Sequence, residues 1–241
     1  MKRISNKLAE LAGKVLPART GSEAEEVKAA FQYISSLGKD SPNQWIRRSA
    51  EIPGYLFKEE HEFILEQAAG APAGDFLEIG AWFGKSTSLL AGAVADRGRD
   101  EKVFSVDPFT NEGEERDRQI HAILHGQKNV FPAFVENAKR LGYYDQVIPV
   151  ATLSTIALPA MNLRIGFAFI DGAHDEASVY RDFGLVKEKL APGARVLFHD
   201  AVTPDYPGVM RAIESVLREN PEMKRAEAAA GTIVALEKAR G

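Results

Sequence analysis

The sequence predicts an α/β fold, with an open, doubly wound, mostly parallel β-sheet preceded by an N-terminal helical segment. From residue 75 onward, short apolar runs alternate with segments of helical periodicity, as in successive βαβ units with right-handed crossovers. Most of these runs are apolar at every position, which is typical of strands covered on both faces. Residues 1–70 show helical spacing and no strand pattern. We therefore expect a helical cap or lid over 1–70 and a ligand-binding α/β domain over 71–241.

The strands and helices of the α/β part follow from the apolar pattern. A helix over 177–190 is predicted because its apolar residues form one stripe, and we expect Pro192-Gly193 to end it. A second helix is predicted over 209–218. The predicted strands are 76–79, 103–106, 147–150, 167–170, 196–198 and 232–236. Ligands of such sheets bind beyond the carboxyl ends of the strands, so a site is expected there.

The N-terminal segment is predicted to contain helices over 22–37 and 58–69, with a polar, turn-rich stretch between them. Two functions are open for it. It either packs on the sheet without touching a ligand, or it closes over a substrate, with Trp45, Tyr55 and Phe57 lining the pocket. Residues 1–17 lack a continuous apolar core and indicate a short amphipathic helix rather than a secretory signal.

The composition excludes several classes of function. The 241 residues include no cysteine, which rules out disulfides, thiolate zinc sites and cysteine nucleophiles. The net charge is −4, so no overall field favours nucleic acid or an anionic membrane. No stretch approaches the roughly 18 apolar residues of a membrane span. We expect a soluble, cytoplasmic protein without nucleic-acid or membrane partners.

A glycine-rich turn follows the first predicted strand. Gly80 and Gly84 allow a tight turn and a close approach of ligand to backbone, and the helix that begins near Ser86 points its N-terminal amides at the loop. The spacing matches neither a P-loop nor the dinucleotide G-x-G-x-x-G pattern, because Trp82 would obstruct a pyrophosphate. Glu78 is expected to face the site and to attract an ammonium group. A ligand with both an ammonium and a carboxylate, such as S-adenosylmethionine (SAM), fits these features.

An acidic residue ends the second predicted strand. Asp107 lies 27 residues after Gly80, about one βαβ unit. A carboxylate at this position can accept both ribose hydroxyls of a nucleoside. Because NAD and SAM sites share this feature, Asp107 alone does not distinguish between them.

Polar residues follow the fourth and fifth strands of the predicted sheet. Asp171 and His174 follow the run 167–170, and His199 and Asp200 follow 196–198. Two carboxylates and one or two imidazoles at one sheet edge suit Mg²⁺ or another divalent cation, which could lower the pKa of a substrate hydroxyl. Alternatively, either histidine could act directly as the general base. A third option is that both aspartates only cap helices or bind substrate.

The longest stretch without a predicted element is 108–130, at the ligand-binding edge. It contains His121 and His125, four residues apart. This pair either lies on a solvated helix face or contacts substrate. Long connections at a binding edge are often functional.

Taken together, these motifs resemble the class I SAM-dependent methyltransferases of the methyltransferase domain 24 type, which are relatives of the macrocin-type sugar O-methyltransferases. The resemblance covers about residues 53–238. It implies a Rossmann-like, seven-stranded sheet with a reversed hairpin at its end. It also implies that metal-dependent members place one ligand after strand four and a pair after strand five. The segments that carry it are 53–56, 78–87, 106–109, 169–174, 182–183, 192–200 and 231–235.

We therefore expect a SAM-dependent methyltransferase that modifies a hydroxyl of a sugar or another small molecule, with the alternatives of an NAD-type oxidoreductase or a non-catalytic SAM-binding protein. A homodimer contact is expected in residues 1–40, and acceptor choice in 40–57 and 108–130. The predicted catalytic residues are Asp171, His174 and His199, and the predicted metal ligands, for Mg²⁺ or another divalent cation, are Asp171, His199 and Asp200. The predicted SAM-binding residues are Glu78, Gly80, Ala81, Trp82, Gly84, Ser86, Asp107, Pro108, Ser154 and Asp171.

Overall fold

A computed structural model describes residues 23–110 and 129–240 of the chain. The predicted amphipathic helix at 1–17 and the His121/His125 pair lie outside these residues. The described part of the N-terminal segment, from residue 23 onward, contains the helices α1 (Glu23–Ser36), α2 (Gln44–Ser49) and α3 (Lys58–Ala69). Helices α1 and α3 were predicted from the sequence, whereas the stretch 38–53 was predicted to contain only turns. The α2 helix begins there because the Asn43 side chain accepts the backbone N–H groups of Trp45 and Ile46.

Seven strands form one sheet, in the order β3-β2-β1-β4-β5-β7-β6. The first five pair in parallel, whereas β7 runs antiparallel to both β5 and β6. This arrangement confirms the predicted doubly wound sheet with a reversed hairpin at its end. The strands are β1 (Asp75–Ile79), β2 (Val103–Val106), β3 (Val147–Val150), β4 (Ile165–Ile170), β5 (Leu190–Phe198), β6 (Met223–Ala230) and β7 (Ile233–Lys238).

Helices cover both faces of the sheet. They are α4 (Lys85–Arg97), α5 (Phe131–Arg140), α6 (Ser154–Ala160), α7 (Glu176–Lys187) and α8 (Pro207–Glu219), with a 3₁₀ turn at Tyr144–Gln146. Within the described residues, no helix is both long and apolar enough to cross a bilayer.

Neighbouring residues of a strand belong to separate cores, because side chains alternate between the two faces of the sheet. On β1, Phe76 packs with the N-terminal helices, α4 and α5, whereas Leu77 packs with α6, α7 and α8. Both residues are fully buried. The double coverage explains why the strands are apolar at almost every position.

The sheet differs from the sequence prediction in one boundary and in one additional strand. Pro192-Gly193 does not end a helix: α7 ends at Lys187 and the pair lies inside β5, where the pairing with β4 shifts register. Strand β6 has no counterpart among the apolar runs of the sequence, because most of its residues are exposed at the sheet edge. The apolar pattern that predicts buried strands is therefore absent from it.

Candidate active site

A cavity of about 610 Å³ opens at the carboxyl ends of the central strands, a volume typical of small-molecule sites. Residues after β1, β2, β4 and β5 line it, as the topology requires. The N-terminal segment closes one side through the stretch 53–57. This is the site that the sequence analysis expected at the switch point of the sheet.

The glycine turn after β1 has the backbone conformation expected of it. Gly80 has φ +89°, and a Cβ there would collide with the carbonyl of Asp171, so that position requires glycine. Trp82 also has a positive φ, +46°, which is uncommon for a bulky residue and is characteristic of ligand-binding sites. Gly80, Ala81, Trp82 and Ser86 all line the cavity.

Asp107 holds this turn against the end of β2. One carboxylate oxygen accepts the backbone N–H groups of Ala81 and Trp82 at 2.7 and 2.9 Å, and the other accepts that of Phe109 at 2.5 Å. Burial raises the pKa of Asp107, although these three N–H groups oppose the shift. A carboxylate offers about four acceptor positions, so at least one remains for a hydroxyl in the cavity. Asp107 and Pro108 both line that cavity.

Glu78 does not face the cavity, which corrects the orientation expected from the sequence. Its carboxylate is fully buried and accepts hydroxyl hydrogen bonds from Ser86 at 2.6 Å, Thr87 at 2.5 Å and Ser105 at 2.8 Å. These three donors replace solvent and turn the side chain away from the ligand space. Burial raises its pKa to about 7. In this position Glu78 braces the turn and the first turn of α4 from behind.

Gly84 is likewise placed away from the cavity. A Cβ at this position would approach the Tyr143 hydroxyl at 2.9 Å and the Phe134 ring at 3.1 Å, and its φ is +89°. The conformation and packing at the start of α4 therefore account for this glycine, and not the close approach of a ligand that the sequence suggested.

Lys85 ties the N-terminal segment to the α/β domain. Its buried ammonium group donates to the backbone carbonyls of Ser35 at 2.9 Å, Ser49 at 3.0 Å and Ile52 at 3.2 Å. Gly54 packs directly on its side chain. The segment is thus anchored beside the glycine turn.

The anchored segment adds aromatic residues to the wall of the site. Tyr55 stacks in parallel on Trp82, with ring centroids 6.0 Å apart, and both residues line the cavity together with Phe57. Trp45 does not line it: its ring packs on Gly92 of α4, and its indole N–H donates to Asp96. Two of the three aromatic residues that the sequence suggested for a lid therefore lie at the site.

The ends of β4 and β5 bring an imidazole and a carboxylate into contact. Nδ1 of His199 lies 3.0 Å from Oδ1 of Asp171. Burial alone would raise the pKa of Asp171, but His199, with help from His174, holds it down to about 2. Burial lowers the pKa of His199, yet Asp171, Asp200 and Glu60 together raise it well above the usual value.

His174 lies on the open side of this group. Its Nε2 is 3.5 Å from Oδ2 of Asp200 and 3.9 Å from Oδ1 of Asp171, and its ring stacks on Tyr206 with centroids 4.0 Å apart. All four residues line the cavity. The histidine is therefore placed where a bound molecule can reach it.

The geometry favours His174 over His199 as the nitrogen ligand of a cation. One ligand atom from each of Asp171, His174 and Asp200 lies within 4.8 Å of the other two, and carboxylate and imidazole are suitable donors for a divalent ion. His199 is only 4% exposed, and its ring nitrogens face Asp171 and Glu60. The predicted set of Asp171, His199 and Asp200 stays a prediction, and the structure adds His174 as an alternative nitrogen ligand.

Glu60 and Tyr206 are residues near the site that were not predicted from the sequence. Glu60 lies in the first turn of α3, is fully buried, and places Oε2 3.5 Å from Nε2 of His199. A glutamate in the first turn of a helix predicts only a favourable interaction with the helix dipole. No local sequence signal connects it to a strand end far along the chain.

Ser154 lies at the cavity and is hydrogen-bonded to a residue of α7. It lies at the start of α6, lines the cavity, and donates to the buried carboxylate of Asp182 at 2.6 Å. Its hydroxyl proton is therefore committed to Asp182, and its oxygen remains able to accept a hydrogen bond from a ligand.

The sheet order, the glycine turn and the acid after β2 define the nucleoside-binding class of Rossmann-like α/β proteins. A family model described as a methyltransferase domain matches residues 77–201. The chain belongs to this methyltransferase family, which confirms the resemblance seen in the sequence and argues against the oxidoreductase alternative.

The chain is also similar to individual proteins. A curated relative, the uncharacterized protein R132 of Acanthamoeba polyphaga mimivirus, is 26% identical over 165 residues, covering 66% of this chain and 67% of its own. Among solved structures, the O-methyltransferase NovP superimposes with a TM-score of 0.65 at 18% identity, over 90% of this chain and 97% of its own. The O-methyltransferase TomG from Streptomyces achromogenes, in complex with SAM, has a TM-score of 0.59 at 18% identity, over 92% and 100%. These structures share the fold.

Proposed function

We propose that the chain transfers a methyl group from SAM to a hydroxyl group of a small molecule. The observation that carries this proposal is that one cavity contains both the glycine turn held by Asp107 and the cluster of Asp171, His174 and Asp200. The first feature suits a nucleoside joined to an amino acid, and the second suits a hydroxyl that must lose a proton.

The cofactor would be bound by the turn after β1 and by the end of β2. We assign its ribose to Asp107, with the neighbouring Pro108 against the nucleoside, and its amino-acid part to the turn at Gly80, Ala81 and Trp82. When bound, SAM supplies a methyl group already activated by the sulfonium charge. Glu78 acts indirectly, through the hydroxyls of Ser86, Thr87 and Ser105 that it accepts. Ser154 and Asp171 complete the cofactor-binding set.

The reaction is an in-line displacement. The acceptor oxygen bonds to the methyl carbon as the carbon–sulfur bond breaks, and the electron pair of that bond goes to sulfur. The hydroxyl proton goes to the imidazole of His174, which lines the cavity. Alignment of the two molecules in one cavity supplies most of the acceleration, because the effective concentration of positioned reactants is very high.

A divalent cation fits the same cluster, with Asp171, His174 and Asp200 as its ligands. When bound, it would lower the pKa of an acceptor hydroxyl. The two roles of His174, as base and as ligand, are exclusive, and the dependence of turnover on added cation separates them.

The acceptor is proposed to be a sugar or a natural-product-like hydroxyl compound. TomG is involved in tomaymycin synthesis, and this chain shares its fold. The wall formed by Tyr55, Phe57 and Tyr206 would pack on a ring of such a compound.

Calorimetric titration tests the cofactor assignment. SAM should bind with one site per chain and NAD should not bind. Binding of SAM, followed by transfer of a labelled methyl group to a panel of phenols, catechols, monosaccharides and sugar acids, would support the proposal. The panel should be run with Mg²⁺ and with a chelator. Binding of NAD alone would overturn the proposal, and SAM binding without transfer to any panel member would favour the non-catalytic alternative.

A further inference from the structure

The carboxylate of Glu60 is bound by the turn between β6 and β7. Oε1 accepts the backbone N–H of Thr232 at 2.7 Å and the hydroxyl of Thr232 at 2.9 Å, and Oε2 accepts the backbone N–H of Phe57 at 2.8 Å. The residue is fully buried. A helix of the N-terminal segment therefore delivers a charged group deep into the α/β domain.

The turn is shaped around this carboxylate. Gly231 has φ +58°, and a Cβ there would collide with the carboxyl group of Glu60. Glycine is needed both for the conformation and for the space. The contact with Glu60 accounts for the Gly231-Thr232 pair, to which the proposed reaction assigns no role.

On its other side, Glu60 faces the active site. Nε2 of His199 lies 3.5 Å from Oε2 of Glu60, and Nδ1 of the same ring lies 3.0 Å from Oδ1 of Asp171. The hydrogen bond at Nδ1 and the ion-pair contact at Nε2 together restrict the rotation of the imidazole about its Cβ–Cγ bond. Because the ring is only 4% exposed, water cannot readily replace either carboxylate.

Thr232 passes the constraint on to the neighbouring aspartate. The backbone N–H of Asp200 donates to the Thr232 hydroxyl at 3.3 Å, and the N–H groups of Ala201 and Val202 donate to the Thr232 carbonyl at 2.9 and 3.1 Å. Asp200 itself has φ +54°, a conformation that costs energy and persists only where its surroundings enforce it. The Glu60–Thr232 contact is part of that enforcement.

From these contacts we infer that Glu60 is a positioning residue of the active site, which holds the His199 ring directly and the Asp200 turn through Thr232. The inference rests on the proposed methyl transfer. Glu60 does not touch the bound molecules. It acts by keeping Asp171 and Asp200 at the spacing that the acceptor requires. The N-terminal segment is then a component of the catalytic centre as well as a cover for it.

Two substitutions test this role against a matched control. Glu60→Ala removes the carboxylate. Glu60→Gln keeps the shape of the side chain but replaces one of its two acceptor oxygens with an amide NH2 group, which can only donate. Glu62→Gln makes the same chemical change on an exposed position of the same helix. All three variants are compared with the wild type for SAM affinity, thermal stability, and kcat and KM with the best acceptor of the panel described above.

We expect Glu60→Ala to lower kcat by about 100-fold, the effect of a misplacement of roughly 1 Å, and Glu60→Gln to lower kcat by about 10-fold. SAM affinity should stay within about threefold of the wild-type value. The turn assigned to the cofactor follows β1, whereas the contacts of Glu60 described above are with His199, Thr232 and Phe57. Glu62→Gln should behave as the wild type. Crystal structures of the variants with S-adenosylhomocysteine should show a rotated His199 ring or a relaxed Asp200 backbone.

Unchanged kcat in both Glu60 variants, at a temperature where they remain folded, would overturn the inference. So would a loss of kcat with the His199 and Asp200 geometry intact. If Glu60→Ala does not fold, Glu60→Gln decides the matter alone. Failure of the proposed function is distinguishable, because the wild type would then bind no SAM or methylate nothing, whereas the geometric result in the variant crystals would still stand.

Discussion

Nδ1 of His199 lies 3.0 Å from Oδ1 of Asp171, which joins the ends of β5 and β4 directly beneath the candidate reaction site. The contact explains why the pKa of Asp171 is low despite burial, since the histidine is the largest influence opposing the cost of desolvation. A negatively charged Asp171 can orient His174 or hold a cation. Both versions of the proposed chemistry therefore depend on this carboxylate.

Asp171→Asn should lower the rate of methyl transfer by about 10²–10⁴-fold, the usual contribution of acid–base catalysis. The substitution keeps the shape of the side chain and removes its charge. Because Asp171 also belongs to the proposed cofactor-binding set, SAM affinity should fall as well, but far less than the rate, since the ribose is assigned to Asp107. Steady-state kinetics with calorimetry measures both quantities, and wild-type turnover in the variant would reject the catalytic role.

Asp107→Ala should weaken SAM binding by roughly 1–3 kcal/mol, the typical cost of losing a charged hydrogen-bond acceptor. Two effects contribute: a ribose hydroxyl loses its partner, and the N–H groups of Ala81 and Trp82 lose the carboxylate that holds the turn. Asp100→Ala, at an exposed position before β2, serves as the control. Equal affinities for the two variants would remove the ribose assignment.

Glu78→Gln should change how stability depends on pH. The folded protein holds the Glu78 proton up to about pH 7, whereas the unfolded chain releases it near 4.5. Between these values the folded state binds more protons, so this group makes the free energy of unfolding fall as pH rises, by about 3 kcal/mol in total.

The difference in unfolding free energy between wild type and Glu78→Gln isolates this effect from other titrating groups. Urea denaturation at pH 5 and pH 8 should show the glutamine variant gaining relative stability at pH 8. A difference that does not vary with pH would contradict the raised pKa of Glu78.

Lys85→Met should destabilise the fold by about 2 kcal/mol, because three backbone carbonyls lose their hydrogen-bond donor. These carbonyls belong to Ser35, Ser49 and Ile52, so the N-terminal segment should be the part that loosens. Urea denaturation and hydrogen exchange measure the two effects. Lys28→Met, at an exposed position of α1, should change neither, and equal stability of the two variants would show that Lys85 anchors nothing.

Local chemistry explains the parts of the site that could be predicted. Gly80 and Asp107 stand at the ends of consecutive strands, and such ends meet at one edge of a parallel sheet. Strand β6 could not be predicted in the same way, because its exposed residues leave no apolar pattern. Helix α2 was missed because a single asparagine cap outweighed the turn-rich composition around it.

The orientation of individual side chains was the least predictable property. Glu78 sits at the end of β1 as expected, but hydroxyls from α4 and β2 surround its carboxylate and turn it inward. His174 and His199 were equivalent candidates for the general base in the sequence. Both line the cavity, but packing distinguishes them, because the His199 ring is only 4% exposed and lies between the carboxylates of Asp171 and Glu60, whereas the His174 side chain is 14% exposed.

The sequence by itself determined the class of fold and the edge of the sheet at which the cavity opens, because periodicity and turn chemistry act over a few neighbouring residues. Its motifs together resemble the methyltransferase family to which the chain belongs. Only the tertiary structure decided that Glu60 reaches His199 and that Thr232, 172 residues away along the chain, binds the same carboxylate. Such contacts arise from the packing of separate elements around a shared buried charge. No local pattern encodes them, since each residue taken alone is compatible with many other surroundings.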